Sequence, residues 1–405
     1  MKILFVAMSD SIHTARWINQ VSGLHKTYLF PSIECGKTHP ELKNTVVYHA
    51  IYSKKPPLKN KVRVNGFPVF SDNLATGLCY LVNSKYQNYR VKKLVRLIKK
   101  IKPDVIHSLE IQHGGYIVSE AKKIYKGKFP YWIATNWGSD IQLFGRLSGH
   151  QEKIKEVLGN ADYYSCECQR DICLAKNFGF KGKTLPVLPN AGGYDLKAVG
   201  PFRRTLPSKR KIIMLKGYYG WSGRSLVGLT ALSRLKNLLK GYELYIHSPI
   251  SDGMAISPTT PSAIEVAAEL FSKNTGVKVT ILPVGTPHQK LLKTYGKARI
   301  AIGLSIGDGI STSFLEAMLM GAYPIQSNTS CADEWVTSGK SGILVPPEEP
   351  ETIAEAIQKA LTSDKLVDEA AKINWQTAKK RLEKDFLKRK TIKFYEEIKK
   401  FDAGL

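Results

Sequence analysis

Two carboxylates eight residues apart stand in the stretch best suited to chemistry. They lie in GDGISTSFLEAMLMGAYP, residues 307–324, where Asp308 precedes Gly-Ile-Ser-Thr-Ser and Glu316 sits inside an apolar run. Gly307, Gly309, Ser311, Thr312 and Ser313 follow RIAIGLS, which reads as a strand. Phe314, Leu315, Met318 and Leu319 then supply the buried face of a helix. A strand, a small-residue loop and a helix N-terminus together make an anion site. The first helical amides lack partners, and the dipole is positive there. A blander reading fits Glu316 alone. Ser313-Phe-Leu-Glu316 has the spacing of a capping box, in which each side chain bonds the other's backbone amide. That box does not explain Asp308, the Gly-rich approach, or the Glu-Ala-Met run before Gly321 and Pro324.

The elements that must position these groups read as two alternating series. With 405 residues the chain is long enough for about two domains. KILFVAM, TYLFPS, TVVYHAIY, DVIHSLE, PYWIATNWGSD and ADYYSCEC are short apolar runs, and helical patterns such as TARWINQVSGL fall among them. Strands alternating with helices predict a parallel sheet covered on both faces. Around 189–210 the texture turns Gly-, Pro- and charge-rich, which marks a linker. A second series begins at KIIMLKGYYGW and runs through YELYIHSP, VKVTILPV, ARIAIGLS, AYPIQS and SGILVPP. The reading is two α/β, doubly wound domains at 1–200 and 205–375, then a basic helix over 376–405.

Composition narrows the partners. Sixty Lys and Arg against 34 Asp and Glu leave a net charge of +26, concentrated locally at 91–102 and 379–400. Such a surface attracts nucleic acid, anionic lipid or anionic substrates. YRVKKLVRLIKKIK, 89–102, spaces its apolar residues as one helix face. That face could lie on anionic lipid, or pack on the sheet and leave its Lys and Arg outward. No apolar run reaches the length of a membrane span. The opening apolar stretch is too short for a signal peptide and reads as a buried strand. Cys35, Cys79, Cys166, Cys168, Cys173 and Cys331 form no familiar zinc or disulfide pattern, so a reducing cytoplasm is the default.

The 307–324 stretch resembles the donor-binding signature of family 4-type retaining glycosyltransferases of the GT-B fold. That signature is a Glu, seven residues, then Glu-Ala-Met, with Gly and Pro soon after. Glu316-Ala317-Met318, Gly321 and Pro324 fit it in place, and Asp308 stands where the family usually has the first Glu. SGKSGILVPPEEPETIAEAIQKAL, Glu334 before it, VLPNAGGYD, PDVIHSL, TNWGSDI and the opening SDSIHTARW are similar to other family segments. The resemblance thus covers some 350 residues.

The resemblance implies a GT-B fold of two Rossmann-like domains facing across a cleft. The acceptor would bind the N-terminal domain and a nucleotide sugar the C-terminal one. The last helix would cross back to the N-terminal domain. It also assigns roles. Glu316 holds the ribose hydroxyls, since a carboxylate accepts from two neighbouring hydroxyls at once. Asp308 faces the sugar, and Gly309, Ile310, Ser311 and Thr312 lie near the diphosphate or sugar. The family's Gly-Arg and following Lys bind the diphosphate. Here Gly217 fits the Gly, Tyr218 replaces the Arg, Arg224 takes the Lys position, and Lys216 is a further cation. A cation is needed to stabilise the departing diphosphate. No Asp-x-Asp metal motif is present, so neither metal nor cofactor is expected.

In the first domain, His107 matches the first His of the family's His-x-His, but Leu109 replaces the second. His113, just before Gly114-Gly115, is the preferred alternative and Glu110 the next. His107, at the end of a buried strand, reads as a core residue. His13 either touches acceptor or phosphate or belongs to a helix turn. Asp140 is either a cleft residue or a helix N-cap. The reaction implied is retaining transfer of a hexose to a glycan or lipid-linked acceptor, in bacterial-type surface polysaccharide or glycolipid assembly at the inner face of a membrane. The rival readings are another GT-B enzyme such as a nucleotide-sugar epimerase, a basic nucleic-acid-binding protein, and a transferase-like protein without activity. The sequence lacks aromatic-basic stacking motifs for specific nucleic-acid recognition.

Overall fold

A computed structural model describes residues 1–54, 60–85, 88–190, 192–203, 205–249 and 261–402. Ala191, within VLPNAGGYD, and the last three residues of the expected C-terminal helix lie outside these. The chain divides into two compact units, Met1–Gly193 with Asp385–Leu405, and Tyr194–Lys384.

The first unit is built on eight parallel strands: β1 (Lys2–Ala7), β2 (Lys26–Pro31), β3 (Thr45–Ser53), β4 (Arg63–Val69), β5 (Val105–Leu109), β6 (Tyr131–Thr135), β7 (Tyr163–Ser165) and β8 (Lys183–Thr184). Their order is β4-β3-β2-β1-β5-β6-β7-β8. Between them run α1 (Ile12–Asn19), α2 (Asp72–Lys85), α3 (Tyr89–Ile101), α4 (Tyr116–Ile124), α5 (Ser139–Gln142), α6 (Ser148–Asn160) and α7 (Gln169–Asn177). In β1, Leu4 and Val6 join one core cluster with residues of α3, α4 and α6. Ile3, Phe5 and Ala7 join another with α1 residues. A strand buried on both faces needs apolar residues at every position, which is why β1 reads as a continuous run.

The second unit has six parallel strands: β9 (Ile212–Lys216), β10 (Glu243–His247), β11 (Lys278–Leu282), β12 (Ala298–Gly303), β13 (Tyr323–Ser327) and β14 (Ile343–Val345). Their order is β11-β10-β9-β12-β13-β14. The strand order reverses between β9 and β12, where open parallel sheets bind ligands beyond the carboxyl ends of the strands. The helices are α8 (Leu196–Val199), α9 (Ser225–Ser233), α10 (Ala263–Thr275), α11 (His288–Tyr295), α12 (Thr312–Met320), α13 (Pro350–Thr362) and α14 (Asp364–Arg381). The final helix is α15 (Lys384–Asp402).

Three boundaries differ from the sequence reading. The linker expected up to residue 210 is structured from Tyr194 onward, because Tyr194 and Val199 are buried in the second unit's core. The basic C-terminal helix is two helices. They meet at Leu382–Glu383, where Tyr194 bridges Glu383 and its amide bonds the Leu382 carbonyl at 2.8 Å. Only the part from Asp385 belongs to the first unit. Its anchor is Tyr395. The Tyr395 hydroxyl accepts from Trp17 Nε1 at 2.9 Å and lies 2.7 Å from His107 Nδ1, while His107 Nε2 lies 2.5 Å from Thr135 Oγ1. With Trp17 donating, the hydroxyl proton goes to Nδ1, and Nε2–H donates to Thr135. His107 is therefore a neutral core residue, and burial lowers its pKa to about 3.

The apolar face of α3 is not on the surface. Leu94, Val95, Leu97, Ile98 and Ile101 are buried in the core, so this helix is packed on the sheet. Among the described residues no helix is long and apolar enough to cross a membrane.

Candidate functional site

The carboxyl ends of β9 and β12 gather the second unit's candidate residues. Lys216 closes β9, and its Nζ lies 3.9 Å from Asp308 Oδ2 and 3.5 Å from Ser311 Oγ. The ammonium also sits 4.5 Å from the Tyr218 ring centre. One cation is thus held among an acid, a hydroxyl and an aromatic face, where a polyanion gains from it. Gly217 follows because the chain passes tightly under β10. A Cβ there would stand 2.8 Å from the His247 carbonyl oxygen, which accepts the Gly217 amide at 2.7 Å. His247 is itself buried, and desolvation, with Lys216 next to it, lowers its pKa to about 3.

The loop after β12 is fixed by its backbone. Ile306 donates to the Trp221 carbonyl, and Gly309 accepts from the Cys331 amide at 2.8 Å. Ile310 turns its side chain into the core, so only its backbone faces outward chemistry. Ser311 is the N-cap of α12 and makes no side-chain cap bond; it contacts Ser313 at 2.8 Å. Thr312 opens the helix and is half-buried. Amides at this N-terminus are therefore not consumed by a capping side chain.

This removes the capping-box reading of Glu316. The helix begins at Thr312, not after Ser313, so Glu316 lies a full turn inside it and caps nothing. Ser313 instead bonds the Ser311 hydroxyl. Glu316 is buried, and its Oε1 accepts from the Tyr194 hydroxyl at 3.4 Å and pairs with His288 Nε2 at 2.7 Å. Neither bond uses Oε2. Gly321 ends the helix in the left-handed conformation, with φ of 78°, which glycine adopts without strain.

Spacing could not reveal Tyr194 and His288. They come from the start of α8's approach and the first turn of α11, far apart in sequence. Tyr194 had one signal, its place in VLPNAGGYD. His288 had none.

Arg224 departs from expectation. Its Nε pairs with Glu348 Oε1 at 2.5 Å and its Nη1 donates to the Gly220 carbonyl at 2.6 Å. Lys216 is a cation that stands beside Asp308. Arg224 instead holds the loop before α9, where its amide bonds the Leu304 carbonyl.

In the first unit, Glu110 has a φ of 85° and caps the wide helical turn Ile111–Gly115. Its carboxylate accepts from the amides of Gly114 at 2.9 Å and His113 at 3.2 Å. Burial raises its pKa, against the opposing effect of His113. The His113 side chain is exposed. Gly114 is required at its position, since a Cβ would stand 2.7 Å from the Val6 carbonyl. Asp140 is not an N-cap; Gly138 takes that position. Its Oδ2 accepts from the amides of Ile111 at 2.8 Å and Trp137 at 2.9 Å, tying the β5 and β6 exits together. Burial and then Glu110 push its pKa well up. His13 lies in the first turn of α1, where its amide bonds Ser11 Oγ, and its ring meets Trp137 edge-on at 6.0 Å. So Glu110 and Asp140 act as backbone clamps.

Two Rossmann-like parallel-sheet units, the second with an anion-ready helix N-terminus and a buried carboxylate, define the GT-B class. Solved structures agree. The chain superposes on sucrose-phosphate synthase from Thermosynechococcus elongatus with a TM-score of 0.71 at 15% identity, covering 100% of both chains. It matches trehalose 6-phosphate synthase from Burkholderia multivorans at 0.69 and 11%, covering 100% of this chain and 99% of that one. An Anabaena HepE structure in complex with UDP-glucose matches at 0.64 and 14%, again over 100% of both. Residues 265–377 match the family model Glycosyl transferases group 1, and residues 77–166 match Glycosyl transferase 4-like. A segment of 92 residues is 35% identical to an uncharacterized glycosyltransferase of Methanocaldococcus jannaschii; it spans 23% of this chain and 22% of that relative. The chain belongs to the family 4-type glycosyltransferases.

Proposed function

We propose that the protein is a retaining hexosyltransferase that uses a nucleotide sugar bound to its second unit. The observation that carries this reading is the buried Glu316, oriented by Tyr194 and His288 through one oxygen. A carboxylate so fixed accepts the two hydroxyls of a ribose, and a neutral or misplaced group does not. Lys216 then stabilises the diphosphate as the bond from the anomeric carbon to the phosphate oxygen breaks. The acceptor oxygen forms the new bond on the same face, and its proton passes to the departing diphosphate. Asp308 meets the sugar, with the amides of Gly309 to Thr312 near the diphosphate. His113 serves at the sugar and His13 at the acceptor. Lys216 supplies the charge a metal would otherwise provide, so turnover is proposed to need no metal or other cofactor.

The acceptor is proposed to be a glycan or lipid-linked glycan in bacterial-type envelope polysaccharide or glycolipid synthesis. The enzyme would work in the cytoplasm, peripherally on the inner face of the membrane. The test is a thermal-shift screen over UDP-, GDP- and ADP-sugars, followed by anomeric analysis of the product by NMR. One nucleotide sugar should stabilise the protein and yield a glycoside of unchanged anomeric configuration. An epimerised nucleotide sugar without glycoside would replace the transferase reading, and an inverted glycoside would remove retention.

A further inference from the structure

Half of the chain's charge excess is concentrated in one stretch. Between Lys43 and Lys102 the sequence holds fourteen Lys and Arg residues and a single acid, Asp72. Six of the fourteen lie on α3, and the structure also places within this stretch β4, the outermost strand of the first sheet, and α2 beside it. Here the surface is not only basic. Phe70 is 73% exposed, Tyr80 68%, Phe67 66%, Leu81 56% and Leu74 52%.

This exposure follows a pattern. On α2, Ala75 and Cys79 are buried, one turn apart, and they turn that face to the core. Leu74 and Leu81 are two turns apart on the outward face, with Tyr80 beside them. The helix is therefore apolar on both sides, although it is covered on one. Phe67 on the edge strand and Phe70 just beyond it are exposed as well. Lys54 lies over the Phe70 ring at 5.2 Å, so basic and aromatic groups are interleaved. Lys54, Lys61 and Arg63, just before and on β4, are all exposed.

We propose that the face formed by β4 and the outer side of α2 docks on an anionic lipid bilayer. The Phe and Leu side chains enter the acyl boundary, and the Lys and Arg side chains meet the headgroup phosphates. Charge alone would suit a nucleic acid equally well. Aliphatic Leu74 and Leu81, turned outward on a helix, gain nothing from phosphates and cannot stack on bases, whereas they gain directly from acyl chains. The surface is also distinct from α3, whose apolar residues are consumed by the core. The proposal rests on the peripheral-membrane part of the function proposed above and not on its donor chemistry, so the two fail in different assays.

The test is co-sedimentation of the full-length protein with vesicles at physiological salt. One set is phosphatidylcholine alone and the other contains about one-third phosphatidylglycerol. Binding to the anionic set only is expected. A triple variant, Phe67→Ser, Phe70→Ser and Leu74→Ser, should lower partitioning roughly tenfold or more, with nucleotide-sugar binding unchanged. The pair Lys54→Glu and Arg63→Glu should lower it as well. Independently of any loss of fold, Phe70→Trp should give a blue-shifted emission on anionic vesicles. Equal binding to neutral vesicles, full binding by the triple variant, or an unshifted tryptophan would each overturn the proposal. If the triple variant loses duplex DNA binding while keeping vesicle binding, the occupant is nucleic acid and the proposal falls.

Discussion

Replacing Glu316 with Gln tests the ribose clamp with little disturbance of the fold. Glutamine keeps the shape, so the helix and the apolar residues around it stay packed. Alanine would not, since it would leave Tyr194 and His288 without their shared partner in a buried site. The substitution turns a doubly accepting carboxylate into a group with one acceptor and one donor. One ribose hydroxyl loses its acceptor, and the other loses the charge that strengthened its bond. Hydrogen bonds to charged groups contribute roughly 1.5–3 kcal/mol each. The loss should therefore be about 2–4 kcal/mol, or roughly 30- to 1000-fold in the dissociation constant of the nucleoside diphosphate. Isothermal titration measures it. Titration of the matching 2′,3′-dideoxynucleotide isolates the cause, because the wild type should discriminate strongly between the two ligands and Glu316→Gln only weakly. If the variant binds the ribonucleotide within about threefold of wild type, or discriminates as strongly, Glu316 does not hold the ribose.

Other outcomes follow from the same geometry. Lys216→Met should lower turnover roughly 100- to 1000-fold, as for loss of a charge-stabilising group, and EDTA should leave the wild-type rate unchanged. Gly217→Ala places a methyl 2.8 Å from the His247 carbonyl, so it should cost about 1–3 kcal/mol, seen as a lower melting temperature with weaker donor binding. Tyr395→Phe leaves Trp17 Nε1 and His107 Nδ1 buried without their partner. At about 1–3 kcal/mol for each unpaired group, protection of the α15 amides in hydrogen exchange should fall sharply while that of the second unit holds. Acid sensitivity has a definite sign. His107 and His247 have folded pKa values of about 3 against an ordinary 6.5, so the stability they contribute is complete above 6.5 and is lost as pH falls toward 3. Asp140 acts oppositely, because its raised pKa makes the folded state gain stability as pH falls through that value. Asp140→Asn keeps an acceptor for the two amides and removes that gain, so the melting temperature should fall more steeply on acidification than in wild type.

The alternation of apolar runs was enough to read two parallel-sheet units, because a strand covered on both faces must be apolar throughout. Residues 299–324 likewise carried the strand, the small-residue loop and the helix, since all three are local. The capping-box spacing misled because cap position depends on where the backbone first turns helical. Ser311 reaches that point before Ser313 does. Arg224 was placed at the diphosphate by the resemblance, and its pairing with Glu348, more than a hundred residues later, left no signal in the spacing.

The sequence by itself determined what is periodic or contiguous: the sheets, the Asp308–Glu316 pair, the glycines that let the chain pass closely, and a basic surface. Only the tertiary structure decided which distant groups share one atom. Glu316 is oriented by His288 and Tyr194, 28 and 122 positions away, and α15 is anchored by Trp17 and His107, 378 and 288 positions away. Such pairings leave no period in the chain, because they arise when separate elements are packed against one another and their buried polar groups must find partners.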